Sequence, residues 1–272
     1  MTKKIAIVGG GNMARALIGG LIQAKISPDC IDVVDHNQDK LQRLKNDFGV
    51  CVHSNLGQWV AQAHTLVMAV KPQVMALACK QVLPFKAPDA LVVSIAAGIR
   101  IEQFKDWMQT DHVVRAMPNT PSMVGAGVVG LYIPQSLNET KAKLARSIMP
   151  AMGEVIEVDS EEQLDWLSTV PGSGPAYVFR LIEALEEAMT RRGFEQSKAR
   201  KMAVMTIVGA GQLALLSQES PTTLRENVTS KGGTTAQALR VMDEHGFMQM
   251  MDEAVQAAYD RNQELAEQLK SA

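Results

Sequence analysis

The apolar run Ile5-Ala6-Ile7-Val8 ends in three consecutive glycines and leads at once into Asn12-Met13-Ala14-Arg15-Ala16. Few backbone paths accommodate that order. The run suits a parallel strand buried on both faces, and Gly9, Gly11 and Ala14 fall on the GxGxxA spacing of a dinucleotide-binding turn. Gly9 lets the chain turn sharply, Gly11 lets backbone amides approach a pyrophosphate, and Ala14 lets the following helix pack on the strand. The unpaired N–H groups and dipole at that helix's N-terminus favour phosphate, which makes Gly9, Gly11, Asn12 and Met13 the expected contacts. A second apolar run, Ile31 to Val34, arrives at βαβ spacing. That separates the motif from a glycine-rich loop that binds nothing.

The second strand ends at Val34-Asp35, where a Rossmann-type unit distinguishes its cofactors. Asp35 is placed to accept a hydrogen bond from an adenine-ribose 2′-hydroxyl, a lean toward NAD, while His36, Asn37 and Lys40 offer groups for the 2′-phosphate of NADP. Further βα units follow. Strands are expected over Thr65 to Val70, Leu91 to Ile95 and His112 to Ala116, each apolar and largely β-branched. Together they predict an α/β fold with an N-terminal doubly wound parallel sheet. Ligands in such sheets sit at the carboxyl ends of the strands, so Ala69-Val70-Lys71-Pro72, Ala96-Ala97-Gly98 and Met117-Pro118-Asn119 are expected to line one cleft with the glycine turn. Gly125 to Ile133 reads as one more strand or hairpin, Glu139 to Met149 as a helix, and Val155 to Val158 as the last strand.

Beyond Glu161 strand signals vanish and helices take over, which puts the expected domain boundary near Ser160: residues 1–160 bind the nucleotide and residues 161–272 are all-helical. Helices are expected over Glu162 to Val170 and Ala176 to about Arg192, interrupted at Pro171-Gly172-Ser173-Gly174-Pro175. Met202 to Leu216 is apolar almost all round, with Ala203, Gly209, Ala210, Gly211 and Ala214 permitting close helix approach. In so small a domain a second subunit buries such a helix most easily, so an obligate, intertwined dimer is expected. The competing arrangement is the central helix of a monomeric bundle.

Composition narrows the partners. With 272 residues, 46% of them hydrophobic, the chain can fill two cores. A net charge of -2 and the absence of any lysine or arginine run argue against nucleic acid. Cys30, Cys51 and Cys79 lie far apart without a CxxC pair, and His36, His53, His64, His112 and His245 show no ligand spacing, so no metal is expected. No basic-then-apolar leader precedes the first strand, and the run Met202 to Leu216 is shorter than the roughly 20 residues that cross a bilayer. A cytoplasmic location without a membrane span is the expectation.

A second stretch, Val228-Thr229-Ser230-Lys231-Gly232-Gly233-Thr234-Thr235, pairs a hydroxyl- and glycine-rich turn with a helix start. Its amides, with the hydroxyls of Ser230, Thr234 and Thr235, can form an anion-binding concavity suited to a carboxylate. The plainer alternative is an N-cap by Thr234 or Thr235 ahead of an ordinary helix.

This stretch, followed by Ala238-Leu239 and Met242-Asp243, resembles the signature of the pyrroline-5-carboxylate reductases. The glycine turn, Ala69-Val70-Lys71-Pro72, Ser94-Ile95-Ala96-Ala97-Gly98, Arg115 to Pro121 and Gly172-Ser173-Gly174-Pro175-Ala176-Tyr177 resemble further family motifs, in the family's order and over nearly the whole chain. The resemblance implies NAD(P)H-dependent reduction of 1-pyrroline-5-carboxylate to L-proline, the last step of proline biosynthesis, with NADP or NAD as cofactor. It also implies a C-terminal all-α dimerisation domain, and dimers that assemble further into decamers. Carried over as substrate contacts are Asn227, Ser230, Gly232, Gly233, Thr234 and Thr235, the last as hydrogen-bond partner of the ring nitrogen and hence the catalytic position. Pro171 stands where many members have serine, and Lys231 where many have proline. Asp35-His36-Asn37 lacks the arginine of members that prefer NADPH.

Two rivals remain at this level. A β-hydroxyacid dehydrogenase has a similar build, but it needs a lysine acid/base on the helix after its Gly-x-Gly turn; here that position is about Val178, and no lysine follows until Lys198. A non-catalytic NAD(P)-binding protein is the other, since a fold does not fix a function.

Overall fold

A computed structural model describes residues 3–270, so the outermost residues of the two expected domains, 1–2 and 271–272, lie outside it. The chain forms two compact units. One comprises the residues up to Ser173 together with those from Ala258 on, and the other is Gly174–Ala257.

In the first unit the described residues build one eight-stranded sheet. Its strands are β1 (Ile5–Val8), β2 (Ile31–Val34), β3 (Cys51–His53), β4 (Thr65–Met68), β5 (Leu91–Ser94), β6 (Val113–Pro118), β7 (Val128–Tyr132) and β8 (Glu154–Val158). The spatial order is β3-β2-β1-β4-β5-β6-β7-β8. Pairing is parallel from β3 through β6, reverses between β6 and β7, and is parallel again between β7 and β8. The expected parallel sheet therefore carries a reversed pair at one edge. The segment between β6 and β7 is a turn at Asn119–Gly125 rather than a crossover helix, and a turn that short can return only antiparallel.

Alternation along each strand feeds two cores. Ile5 and Ile7 face α1 (Asn12–Gln23), α2 (Gln38–Phe48) and α5 (Glu139–Ile148), where Leu17, Ile18, Leu44 and Ile148 are buried with them. Ala6 and Val8 face α3 (Met75–Val82) and α4 (Ile101–Met108), where Met75, Phe104 and Met108 are buried. Cys79 lies in this second core, and burial pushes its thiol pKa up to about 12. It is a packing residue.

The helix α6 (Glu161–Leu167) packs across β6 and β7, so it belongs to the sheet although the last strand ends at Val158. A buried charge cluster fastens it. Arg115 on β6, 2% exposed, donates to Glu161 Oε1 at 2.7 Å and to Asp165 Oδ1 at 3.2 Å. Asp165 Oδ2 also meets Arg100 at 2.5 Å and accepts from Gln263 at 3.3 Å. Trp166 stacks on Tyr259 with ring centroids 3.7 Å apart. These contacts hold the end of α11 (Phe247–Lys270) to this unit.

The second unit contains α7 (Gly174–Thr190), α8 (Gln196–Leu216), α9 (Pro221–Asn227), α10 (Thr234–Glu244) and the start of α11. Between Gly174 and Ala257 the buried residues are Ala199 and Ala203, both on α8, while Phe179, Met205, Leu213 and Met248 are all more than half exposed. These helices do not enclose a core within one chain. The helix α8 begins at Gln196, ahead of the apolar run at Met202, because Lys198, Arg200 and Lys201 are good helix formers. At 21 residues it is, by length and hydropathy alone, long and apolar enough to cross a membrane, which the run Met202 to Leu216 by itself is not.

Candidate active site

The turn after β1 is built as the glycine spacing requires. Gly9 adopts φ +104°, and a Cβ there would stand 2.7 Å from the Ala69 carbonyl oxygen, so no other residue fits without moving β4. Ala14 is fully buried where α1 meets the sheet. Gly11 caps α1 with no side-chain hydrogen bond, and nothing lies within 4 Å of where its Cβ would be. The first N–H groups of α1 therefore face open space, an arrangement that fits a pyrophosphate.

That space is a cleft of about 1500 Å³ across the carboxyl ends of the strands, roomier than the usual 300–1,000 Å³ of a small-ligand site. It is wide enough for a dinucleotide. Gly9, Gly11, Asn12, Met13, Asp35, His36, Ala69, Val70, Lys71, Pro72, Ala96, Ala97, Met117, Pro118 and Asn119 all line it. Two expected contacts do not. Asn37 caps α2 by accepting the Lys40 amide at 3.0 Å, and Gly98 packs against the backbone of Ala266 on α11.

Asp35, the expected ribose acceptor, lines the cleft and also holds two loop amides. Its Oδ2 accepts the Gly10 amide at 2.7 Å, its Oδ1 accepts the Asn37 amide at 2.8 Å, and only 6% of the side chain is exposed. Burial acts to raise its pKa, but the two amides, with Lys40 and His36 nearby, together outweigh it and hold the carboxyl below the usual value. Lys40 Nζ stands 3.8 Å from Asp35 Oδ2 with nearly half its side chain exposed, and His36 is almost fully exposed; both line the cleft mouth.

Asn119 is likewise committed. Its amide donates to the Pro171 carbonyl at 2.9 Å and accepts the Val128 amide at 2.9 Å, tying the end of β6 to a π-helical turn at Ser168–Gly172. Pro171 has no N–H to give to an α-helical ladder, and Ser173 N–H instead bonds the Ser168 carbonyl five residues back. The proline thus has a structural role in a cleft-lining turn.

In the second unit, Gly232 adopts φ +72° and the Ser230 hydroxyl occupies the place a Cβ on Gly233 would take. Gly233 caps α10 without a side-chain hydrogen bond, which excludes an N-cap by Thr234 or Thr235. Neither threonine hydroxyl has a partner among the described residues, and Asn227 is paired with Glu219 at 3.0 Å. The turn leaves backbone N–H groups and two hydroxyls available to an anion.

Sequence reasoning did not find the wall formed by Ala258, Asn262 and Leu265 of α11. Their i, i+4, i+7 spacing was visible, but nothing local indicated what that face would meet.

Comparison with known proteins agrees with this geometry. The family model described as pyrroline-5-carboxylate reductase dimerisation matches residues 161–265, a span that includes α8, and the model described as NADP oxidoreductase, coenzyme F420-dependent, matches residues 4–98. The chain is 37% identical over 269 residues, 98% of each chain, to a pyrroline-5-carboxylate reductase of Pseudomonas aeruginosa. Among solved structures it is similar to a pyrroline-5-carboxylate reductase of Coxiella burnetii, with TM-score 0.91 and 37% identity, covering 97% of this chain and 99% of that one. It is also similar to a Plasmodium falciparum pyrroline carboxylate reductase with NADP bound, with TM-score 0.84 and 25% identity over 97% and 98% of the two chains. An uncapped helix opening on a nucleotide-sized cleft, a second uncapped helix behind a glycine-hydroxyl turn, and similarity along nearly the whole length lead to one conclusion: this chain belongs to the pyrroline-5-carboxylate reductase family.

Proposed function

We propose that this protein reduces 1-pyrroline-5-carboxylate to L-proline with NAD(P)H, the last step of proline biosynthesis. The observation that carries this is its 37% identity to a reductase of that name over 98% of both chains. The uncapped start of α1 over the cleft is the independent physical support.

A cyclic imine is a weak base that is protonated near neutral pH, and its iminium carbon accepts hydride readily. The bound nicotinamide supplies that hydride. The protein's contribution is placement. The amides that open α1 bind the pyrophosphate. Ser230, Gly232, Gly233 and Thr234 hold the substrate carboxylate on the N–H groups that open α10, with Asn227 beside them. Thr235 accepts a hydrogen bond from the protonated ring nitrogen, which keeps its proton as the C=N π pair becomes the amine lone pair.

NADPH is the better-suited donor. Lys40 and His36 line the cleft beside Asp35, where a 2′-phosphate would need positive charge. Residues 161–272 act as the dimerisation and substrate-binding domain of a cytoplasmic homodimer, which assembles further into a decamer. A second copy would cover the apolar faces of α7 and α8, including Phe179 and Met205.

Initial rates test the reaction. Oxidation of NADPH, and more slowly of NADH, should depend on added 1-pyrroline-5-carboxylate. Reduction of NADP by a β-hydroxyacid without any turnover of the imine would favour a dehydrogenase, and binding of NADPH without turnover of either would favour a sensor.

A further inference from the structure

The last turns of α11 bring to the cleft a polar group with no hydrogen-bond partner among the described residues. Ala258, Asn262 and Leu265 share one face of the helix and line the cleft. One turn beyond Asn262, Ala266 is 3% exposed, and its backbone lies 3.6 Å from the Cβ position of Gly98, in the turn that follows β5. Asn262 is thus directed to the β5–β6 end of the cleft. The helix is fixed there by the Gln263–Asp165 hydrogen bond and by Gln103 donating to the Leu269 carbonyl at 3.3 Å. Asn262 is only 9% exposed, yet its amide has no hydrogen-bond partner among the described residues. Asn262 is not among the sealed, unpartnered polar side chains, so its amide opens to the cleft, where a bound ligand can supply the partner that most largely buried polar groups have.

We propose that Asn262 is a cofactor-binding residue that pairs with the carboxamide of the nicotinamide ring, Nδ2 donating to the carboxamide oxygen and Oδ1 accepting from its NH2. Asp35 and Lys40 mark the β2 end of the cleft for the adenosine half and the start of α1 marks the pyrophosphate, so the opposite end, beside β5 and β6, falls to the nicotinamide. The carboxamide carries one acceptor and a two-hydrogen donor, and a side-chain amide matches both. Three neighbouring polar side chains are already spent, Asn119 on Pro171 and Val128, the Ser168 hydroxyl on the Asp165 carbonyl, and the Ser173 hydroxyl on the Ser168 carbonyl, while the Thr120 hydroxyl, which also lines the cleft, cannot match a carboxamide's donor and acceptor side by side as an amide does.

The test is equilibrium titration of the full-length protein, wild type against Asn262→Leu, with NADPH and with 2′,5′-ADP, which lacks the nicotinamide half. Losing two neutral hydrogen bonds should raise the Kd for NADPH about thirtyfold and leave that for 2′,5′-ADP unchanged. The 3-acetylpyridine analogue of NADPH, which accepts but cannot donate, should bind wild type more weakly than NADPH, and the variant should not discriminate between them. If the leucine variant holds no 2′,5′-ADP, Asn262→Asp, nearly equal in volume, replaces it with the same direction expected. An unchanged Kd for NADPH overturns the proposal, as does an equal loss of both ligands in Asn262→Asp. A raised KM for 1-pyrroline-5-carboxylate at unchanged NADPH affinity overturns it by placing Asn262 at the substrate. The proposal rests on the reductase function above; failure of the wild type to bind NADPH would overturn that function instead.

Discussion

The Oδ2 atom of Asp35 accepts the backbone N–H of Gly10 at 2.7 Å, joining the end of β2 to the glycine turn that follows β1. The same carboxylate holds the Asn37 amide through Oδ1 at 2.8 Å. One acid lining the cleft thereby sets the relative position of two of its loops.

Replacing Asp35 by alanine should leave the Gly10 amide buried without its charged acceptor. The expected loss of folding stability is about 1.5–3 kcal/mol, with NADH and NADPH weakened by similar factors. Because the folded-state pKa lies below the usual 3.8, the carboxylate's contribution is fully present above the unfolded value and is lost as pH falls through the folded one. The stability gap between wild type and Asp35→Asn should accordingly be constant from neutral pH to about pH 5 and shrink in more acid solution. Denaturant midpoints across that range check this. A selective loss of NADH affinity in Asp35→Ala would show that Asp35 reads the ribose after all.

Lys40→Ala should raise the Kd for NADPH by about three- to tenfold and leave NADH unchanged, a modest effect because the ammonium is partly exposed. Added salt should shrink the difference. Titration with both cofactors at low and high ionic strength decides the matter; equal effects on the two would remove Lys40 from phosphate recognition.

The Thr235 hydroxyl makes no hydrogen bond among the described residues, and Gly233 rather than a threonine caps α10. Thr235→Ala should therefore change stability by no more than about 0.5 kcal/mol, while kcat/KM falls about tenfold for one lost hydrogen bond. Thr235→Ser should restore most of the rate. Unchanged turnover in the alanine variant would exclude Thr235 from the mechanism.

Met205 on α8 is 57% exposed in the single chain. A glutamate there should prevent assembly, because a charge buried between subunits finds no partner. Light scattering should give the wild type at least twice the 29.5 kDa chain mass, and Met205→Glu should lose both that mass and helical signal. A wild-type monomer with full helicity would contradict the covering of α8 by a second copy.

Much of the nucleotide unit was legible because its signals are local. The apolar run Ile5–Val8, the three glycines and Ala14 define strand, turn and helix within a dozen positions. The strand Cys51–His53 was not legible: it is a three-residue edge strand, half-buried and without a β-branched run. The direction of β7 depended on a short turn at Asn119–Gly125 that reads equally as a strand stop. Least legible were the long-range contacts. Only coordinates reveal that Asp35 also holds the Gly10 amide. Asn262 lies on an unremarkable helical stripe, held at the cleft by a hydrogen bond between Gln263 and Asp165, 98 residues apart. At Thr235 the residues offered both a cap and an anion turn, and the uncapped geometry removes the first.

Transfer of the hydride itself can be followed with NADPH deuterated at both nicotinamide C4 positions, incubated with the protein and 1-pyrroline-5-carboxylate. One deuterium at the δ-carbon of proline, with one proline formed per NADPH oxidised, is the expected result. Oxidation of the cofactor without labelled proline, or no oxidation at all, would contradict imine reduction by this protein.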